Sequence, residues 1–319
     1  MPIGERKLIR EIRRAAGEGA AVVKGIGDDC AVLRVPRGHE MLVTTDFSIE
    51  KVHFRREWHP PELVGWRCLT RGLSDIAAMG GEPLAAFLSL AIASDVPQKW
   101  VDRFLRGLLE LAKEVEIPLA GGDTARSAGG IQADIVVVGS VPQGKAVLRS
   151  GARAGDGIYV TGELGGAAAE LGRLRRAKGA KSVRRAFRSS GCARPQPRLA
   201  VGRWLREREL ASAMIDLSDG LSTDLEHICE ESHVGAEIDA EAIPRAWAGN
   251  EAVKLELALH GGDDYELLFT SAAAIPAEIA GVRVTCIGRV GSFSGMRMVV
   301  DGKTRRLKAG GWEHFRGNS

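Results

Sequence analysis

Apolar residues recur along the first half of the chain with a helical period in some segments and as continuous runs in others. Spacings of three or four positions predict an amphipathic helix over 61–79, which the pair Gly80-Gly81 ends. Its inward positions are Leu63, Trp66, Leu69, Leu73 and Ile76. We predict further helices over 3–15 and 97–115, and strands over 40–45, 84–93, 132–141 and leading into Gly121-Gly122-Asp123.

The pattern restarts after Pro142-Gln143-Gly144-Lys145. Beyond it we predict helices over 164–176, 197–207 and 220–232, and strands over 157–161, 212–216, 235–239, 265–270, 283–289 and 297–301. Helices between strands in both halves indicate a mixed α/β (α+β) fold. A chain of 319 residues is long for a single core. We therefore predict two α/β domains, 1–142 and 143–319.

Composition narrows the class of protein. The 44 basic and 41 acidic residues give a net charge of +3, which is too balanced for a general nucleic-acid binder. Five scattered cysteines without a C-x-x-C motif argue against a disulfide framework or a zinc knuckle and favour a reducing cytoplasm. The amphipathic N-terminus lacks the apolar core of a signal peptide, and no apolar run approaches the roughly 18–20 residues of a membrane span.

Acidic clusters beside glycines are the most informative feature of the chain. They are Gly27-Asp28-Asp29, Thr44-Thr45-Asp46, Ser74-Asp75, Gly121-Gly122-Asp123-Thr124, Asp216-Leu217-Ser218-Asp219-Gly220 and Gly261-Gly262-Asp263-Asp264-Tyr265-Glu266. Gathered carboxylates repel one another unless cations separate them. Oxygen-rich groups suit Mg²⁺ that holds phosphates. The clusters predict a multi-metal, nucleotide-using enzyme.

Six aspartates are the metal candidates: Asp29, Asp46, Asp75, Asp123, Asp216 and Asp219. A single aspartate of this kind is more often a turn residue or a helix cap, and only the group indicates a site. Asp46, Asp123 and Asp216 each follow a run that ends a predicted strand, where ligands collect in open α/β sheets. Thr44 and Thr45 add oxygens that hard cations accept. Asp75 lies in the last turns of a helix, where a local cation would relieve its repulsion by the helix dipole.

Two glycine-rich stretches fail as phosphate loops. Gly139–Ala146 matches G-x-x-x-x-G-K but lacks the Ser or Thr hydroxyl and the following helix. Gly25–Cys30 fails the last glycine of G-x-G-x-x-G. We therefore expect neither a P-loop nor a Rossmann motif. Arg149, in a Ser-Gly stretch, is either a bidentate phosphate clamp or a solvated arginine.

The stretch 173–208 contains thirteen Lys and Arg residues and one acid, Glu207. It is either a nucleic-acid contact or, as its lack of interleaved aromatic residues favours, a solvated helical excursion. No Ser-His-Asp or Cys-His arrangement indicates a general base. A phosphate acceptor is largely dianionic at pH 7 and needs none, because positioning and charge neutralisation suffice for phosphoryl transfer.

Read together, the motifs resemble those of the thiamine-monophosphate kinase family, in the family's order and over nearly the whole chain. The matching pieces are Gly25–Leu33, Thr44-Thr45-Asp46 with His53-Phe54, Leu73–Gly80, Gly121–Thr124, Leu148–Ala152, Ile215–Leu221, Gly261–Leu267 and Trp312–Phe315. The resemblance implies phosphorylation of thiamine monophosphate by ATP, with thiamine diphosphate and ADP as products. It also implies two α/β domains, several Mg²⁺ ions and a homodimer formed through the N-terminal domains.

The resemblance implies residue roles as well. Metal would be held by Asp29, Thr44, Thr45, Asp46, Asp75, Asp123, Asp216 and Asp219. ATP would contact Gly122, Asp123, Arg149 and Ser218, and the thiamine substrate would contact His53, Asp263 and Trp312. A flat indole at position 312 suits a cationic aromatic ring.

One residue departs from the family pattern. Asp263 stands where the family often has the longer Glu.

Three related families are alternatives to this resemblance. They are aminoimidazole ribonucleotide synthetase, selenophosphate synthetase and a hydrogenase maturation factor. The factor's C-terminal cysteine is missing here, since no cysteine follows Cys286. The reactive N-terminal cysteine of selenophosphate synthetase has no counterpart except Cys30, whose thiolate the adjacent acids disfavour. A nucleic-acid-binding or scaffold protein would leave the acidic clusters unexplained.

Overall fold

A computed structural model describes residues 4–17, 19–27, 29–177 and 194–314. Asp28, Cys192 and the central part of the basic stretch, 178–193, lie outside these residues, as does Phe315. The chain divides into two compact units, Met1–Ile76 with Gly81–Gly144, and Ala77–Gly80 with Lys145–Ser319. Within the described residues, every helix is too short or too polar to cross a bilayer.

The first unit contains three helices and six strands among its described residues. In chain order they are α1 (Glu5–Ala15), β1 (Val22–Lys24), β2 (Val32–Leu33), β3 (His39–Ile49), α2 (Pro61–Ala78), β4 (Glu82–Ile92), α3 (Gln98–Glu114), β5 (Leu119–Arg126) and β6 (Ile131–Pro142). The predicted helices are confirmed to within two residues at each end. The hairpin of β1 and β2 was not predicted, because its two short strands carry no clear alternation.

A four-stranded sheet in the order β3-β6-β4-β5 forms the centre of the first unit. Only the pair β4–β5 is parallel. Helix α2 packs against one face so closely that a Cβ on Gly72 would lie 2.6 Å from a methyl carbon of Val137. Helices α2 and α3 are equally close, since a Cβ on Gly65 would lie 1.9 Å from the carbonyl oxygen of Phe104. Small residues at these crossings fix where α2 lies on the sheet.

The prediction that Asp46 and Asp123 end their strands is wrong. Strand β3 continues past Asp46 to Ile49, which pairs with Gln132 of β6. Asp123 likewise lies inside β5, paired with Ser89 of β4. Backbone hydrogen bonds to the neighbouring strand continue through these polar residues. The local hydropathy pattern does not show this, because it reflects only side-chain polarity. Asp216 does end its strand.

The described part of the second unit contains four helices and ten strands. They are β7 (Gly157–Thr161), α4 (Gly166–Arg176), α5 (Leu199–Glu207), β8 (Ala213–Asp216), α6 (Leu221–Ser232), β9 (Gly235–Asp239), β10 (Trp247–Ala248), β11 (Glu251–Ala252), α7 (Leu255–His260), β12 (Leu267–Ser271), β13 (Glu278–Ile279), β14 (Val282–Gly291), β15 (Gly295–Val300) and β16 (Lys303–Leu307). The predicted elements are present; α7, β16 and the two-residue strands were missed.

The main sheet of the second unit has the order β16-β15-β9-β14-β7-β12-β8, with β13 paired to β14. Its pairs are antiparallel except β9–β15. Helix α6 covers one part of it through Leu221, Leu225 and Ile228, which are fully buried in the same apolar cluster as Ile158 and Ile215. This packing places the N-terminus of α6 directly after the end of β8.

Candidate active site

Strand β3 and helix α2 of the first unit bring together three of the predicted metal residues. Thr44 and Asp46 lie two positions apart on β3 and therefore face the same side of the sheet. The Thr44 hydroxyl donates a hydrogen bond to a carboxylate oxygen of Asp75 on α2. Nη1 of Arg71, one turn earlier on α2, lies 3.7 Å from Oδ1 of Asp46. The group formed by Thr44, Asp46 and Asp75 therefore has the positive charge of Arg71 beside one of its acids, Asp46.

Thr45 belongs to the opposite face of the sheet. Its hydroxyl donates to Oδ1 of Asp134 on β6 at 2.7 Å. The register places Asp134 opposite Ser89 on β4, and Ser89 beside Asp123 on β5. With strands about 4.8 Å apart, Asp134 and Asp123 share a row separated by one strand. Asp134 is not among the predicted site residues, although it alternates with the buried positions of the run 132–141.

Asp29 and Asp123 line one cavity of about 570 Å³ in the first unit. Much of its wall is apolar and comes from Ile9, Ile12, Ile26, Phe87, Leu88, Leu90 and Leu119. Gly122 lies at the wall with φ 143°, and a Cβ there would be 1.9 Å from the carbonyl oxygen of Leu88. The hydroxyl oxygen of Thr124 is buried without a hydrogen-bond partner in the described structure. The cavity therefore combines an apolar wall with a few polar groups, as small-molecule sites do.

His53 follows β3 in a tight turn. Its Nδ1 accepts a hydrogen bond from the backbone N–H of Ile49 at 3.0 Å. A ring nitrogen that accepts cannot carry the proton, so the neutral imidazole has its proton on Nε2. The turn therefore presents His53 as a hydrogen-bond donor through Nε2.

In the second unit, the backbone joins two acidic motifs that are about fifty residues apart in sequence. Asp216 at the end of β8 pairs with Leu267 of β12. Beyond the strands the pairing continues, because the N–H of Leu217 donates to the carbonyl of Glu266 at 2.8 Å and the N–H of Tyr265 donates to Leu217 at 2.9 Å. The N–H of Asp263 then donates to Ser218, also at 2.9 Å. The loop 216–220, here called the Asp216 loop, and the loop 261–266, the Asp263 loop, therefore form one structure.

The Asp263 loop is locally strained. Asp263 has φ 66° and Tyr265 has φ 53°, both in the left-handed region that residues other than glycine seldom adopt. Asp is among the residues that tolerate this region best. The shorter Asp at 263 thus suits the backbone conformation better than Glu. Between these residues, Asp264 accepts the N–H of Gly165 at 2.7 Å, at the start of α4, and burial raises the pKa of its carboxyl to about 7.

A further carboxylate and a histidine join Asp219. One oxygen of Asp224 accepts the backbone N–H groups of Asp219 and Gly220 at 3.2 and 3.0 Å. Burial, reinforced by the charges of Asp216 and Asp219, raises the pKa of Asp224 to about 8. Ligand atoms of Asp219, Asp224 and His227 all lie within 4.8 Å of one another. Asp224 and His227 are not among the predicted site residues, although their spacing of three on a predicted helix places them on one side.

The C-terminal segment is attached to the same helix end. The N–H of Trp312 donates to the carbonyl of Asp219 at 3.0 Å, and that of Gly311 donates to the hydroxyl of Thr223 at 3.0 Å. The indole itself is 51% exposed. Its ring meets His314 edge to face with centroids 5.6 Å apart. An exposed aromatic surface therefore lies beside the Asp216 loop.

Arg149 also belongs to this part of the second unit. Its carbonyl accepts the Ser232 hydroxyl at 3.0 Å, and that hydroxyl in turn accepts the N–H groups of Gly151 and Ala152. Burial raises the pKa of Asp219, while the positive charges of His227, His314 and Arg149 oppose the shift. The exposed guanidinium of Arg149 is thus close enough to Asp219 for their charges to interact.

Comparison with known proteins decides the family. The AIR synthase related protein family matches residues 27–141 with its N-terminal domain and residues 153–300 with its C-terminal domain. The thiamine-monophosphate kinase of Escherichia coli strain K12 is 38% identical over 99% of both chains. The chain belongs to the thiamine-monophosphate kinase family.

Solved structures of thiamine-monophosphate kinases are similar to this chain in fold as well. The thiamine-monophosphate kinase from Stenotrophomonas maltophilia K279a is 35% identical, with a TM-score of 0.81 over 95% of this chain and 98% of that one. AaThiL complexed with AMPPCP and TMP is 31% identical, with a TM-score of 0.75 over 98% of this chain and 97% of the other. Both likenesses extend through the two units, so the family assignment covers the whole fold.

Proposed function

We propose that this chain is a kinase that transfers the γ-phosphoryl group of ATP to thiamine monophosphate, with thiamine diphosphate and ADP as products. The observation that carries the proposal is the full-length likeness to AaThiL, whose solved structure contains AMPPCP and TMP. The joined Asp216 and Asp263 loops, with Trp312 beside them, support it from this chain's own geometry.

The cavity in the first unit is the proposed nucleotide site. Gly122 and Asp123 lie at its polar side and are the proposed ATP contacts. Its aliphatic wall suits a purine ring, and the buried hydroxyl of Thr124 offers a donor or acceptor to the nucleotide. Arg149 and Ser218, which belong to the second unit, stay predicted ATP contacts on the family resemblance alone.

The proposed metal ligands are those predicted from the sequence: Asp29, Thr44, Thr45, Asp46, Asp75, Asp123, Asp216 and Asp219. The residues present fit hard cations, because they offer oxygen ligands. Burial mainly raises the pKa of Asp224, and the charges of Asp216 and Asp219 add to the shift; a cation would relieve that part of it. We add Asp224 and His227 to this set on the grouping of their ligand atoms with Asp219. When bound, Mg²⁺ neutralises charge on the phosphates of the substrates.

Three residues are proposed to hold thiamine monophosphate. His53 donates through Nε2, Asp263 offers a carboxylate to a cationic ring, and the exposed indole of Trp312 offers a flat surface to it. The phosphate of the substrate is its own nucleophile, so no side chain is required to remove a proton. Positioning of the two phosphates, and not acid–base chemistry, is then the main task of this chain's residues.

The homodimer is proposed through the first unit. Met41, Val43 and Phe47 alternate on the edge strand β3 and are each more than half exposed. Such a row on a strand with an unpaired edge is a surface that proteins commonly cover. A second copy of the chain is the occupant that the family resemblance implies. The cytoplasmic location stays a prediction from the sequence.

The test is ADP release from ATP and Mg²⁺ with thiamine monophosphate, thiamine or an aminoimidazole precursor as acceptor, and with product masses measured. Thiamine diphosphate formed from the monophosphate, and not from thiamine, is the expected result. ATP binding without turnover of thiamine monophosphate would move the activity to another AIR synthase related reaction and leave the fold assignment unchanged.

A further inference from the structure

Tyr265 is a buried residue whose hydroxyl donates a hydrogen bond to a partly exposed residue of the proposed site. Its side chain is only 1% exposed, and its hydroxyl donates to Oδ1 of Asp263 at 2.6 Å. Hydrogen bonds from a hydroxyl to a carboxylate at this distance are among the stronger ones in proteins. Asp263 is partly exposed, so the bond connects the interior of the second unit to a residue that a ligand can reach.

The backbone conformation that brings Tyr265 and Asp263 together is strained. Asp263 and Tyr265 both adopt left-handed φ values, of 66° and 53°. Such backbone strain persists only where surrounding contacts enforce it. Here the contacts are the hydrogen bonds of both residues to Leu217 and Ser218. The paired backbone fixes the Cα of Asp263, whereas the torsion of its carboxylate is restrained by the Tyr265 hydroxyl.

We propose that Tyr265 is a positioning residue that orients the Asp263 carboxylate for the substrate's cationic ring. The inference rests on the proposed function, which makes Asp263 a substrate contact. Tyr265 itself is too deeply buried to touch the substrate. A carboxylate held in one orientation loses less rotational freedom on binding than one that rotates, so the hydroxyl increases affinity without a contact of its own.

A purely structural role predicts different behaviour. Buried tyrosines usually find a partner for the hydroxyl, and Asp263 would then merely satisfy that need. Removal of the hydroxyl would in that case lower the melting temperature and leave the kinetic constants unchanged. A positioning role instead predicts a selective rise in KM for thiamine monophosphate.

The experiment compares Tyr265→Phe with Tyr159→Phe, the matched change at the chain's other tyrosine. Tyr159 lies on β7, with its hydroxyl 3.4 Å from the carbonyl of Ala273. Both substrates are varied in turn, and melting temperatures are recorded. For Tyr265→Phe we expect KM for thiamine monophosphate to rise about tenfold, with kcat and KM for ATP within about twofold of wild type. Tyr159→Phe is expected to leave all three constants unchanged.

A double-mutant cycle shows whether Tyr265 acts through Asp263. In an Asp263→Ala background, Tyr265→Phe is expected to add no further change in KM, because the orienting partner is gone. An equal additional effect in both backgrounds would overturn the proposal, as would an unchanged KM in the single variant. A wild-type enzyme that fails to use thiamine monophosphate would overturn the proposed function and this inference together, and is recognised before any variant is compared.

Discussion

The two units present their acidic residues on different kinds of backbone. In the first unit Asp46, Asp75 and Asp123 lie within regular elements, and a fixed cation, Arg71, lies 3.7 Å from Asp46. In the second unit Asp219 and Asp263 lie in two joined loops, one of them with left-handed residues. Burial raises the pKa values of Asp219 and Asp224 there.

The difference concerns how each unit tolerates its charges. Regular elements hold Asp46, Asp75 and Asp123 of the first unit, and Arg71 offsets part of their charge. The second unit concentrates buried carboxylates at the start of α6, and the helix N-terminus offsets them only partly. We therefore expect the second unit to depend more strongly on bound cations.

The largest expected effect comes from neutralising one acid in each unit. Asp46→Asn and Asp216→Asn should each lower kcat by two to three orders of magnitude, as removal of one charge-stabilising group does elsewhere. Asp301→Asn, in an exposed turn where Asn tolerates the same φ of 49°, is the matched control. Steady-state ADP release measures all three. Near-normal rates in both site variants would contradict the metal assignment.

Magnesium without nucleotide should stabilise the wild-type protein, by about 2.7 kcal/mol at a concentration of 100 times Kd. The stabilisation should shrink more in Asp219→Asn than in Asp46→Asn, because burial raises the pKa of Asp219, whereas Arg71 lies 3.7 Å from Asp46 and offsets part of its charge. Thermal melting over a magnesium series measures this. An equal loss of magnesium stabilisation in both variants would contradict the expectation that the second unit depends more strongly on bound cations.

The stability of the second unit should depend on pH through Asp264. Its carboxyl keeps its proton up to about pH 7 when folded, whereas in the unfolded chain it ionises near 3.8. Between these values the folded state binds more protons, so the free energy of unfolding falls as pH rises, by at most about 1.4 kcal/mol per pH unit. Urea unfolding of metal-free wild type and Asp264→Asn isolates this group. The difference in the free energy of unfolding between wild type and variant should change with pH between about 3.8 and 7. A constant difference would show that Asp264 is already ionised in the folded protein over that range.

The smallest expected effect concerns the tautomer of His53. Gln places its amide N–H near the position of Nε2, and Asn places it near Nδ1. His53→Gln should therefore keep a lower KM for thiamine monophosphate than His53→Asn, by about fivefold, which is roughly 1 kcal/mol. Nitrogen NMR of the wild-type imidazole gives the tautomer directly, without any assay. A proton found on Nδ1 would contradict the hydrogen bond from Ile49.

Prediction from the sequence succeeded where a local period exists. The helices over 61–79 and 97–115 were found within two residues because their apolar positions repeat along one face. It failed at the ends of β3 and β5, since Asp46 and Asp123 are polar residues inside strands that continue. Asp134 was missed for a related reason: only pairing with β3 shows that it lies beside Thr45.

The sequence by itself determined the two-part α/β composition, the acidic motifs and their family resemblance, because these depend on residue types and on spacings along the chain. Only the tertiary structure decided that Thr44 and Thr45 face opposite sides, that Asp224 and His227 join Asp219, and that the Asp216 and Asp263 loops are one structure. Those relations arise from hydrogen bonds and packing between residues far apart in sequence. Side-chain orientation depends on such contacts, and no local pattern records them.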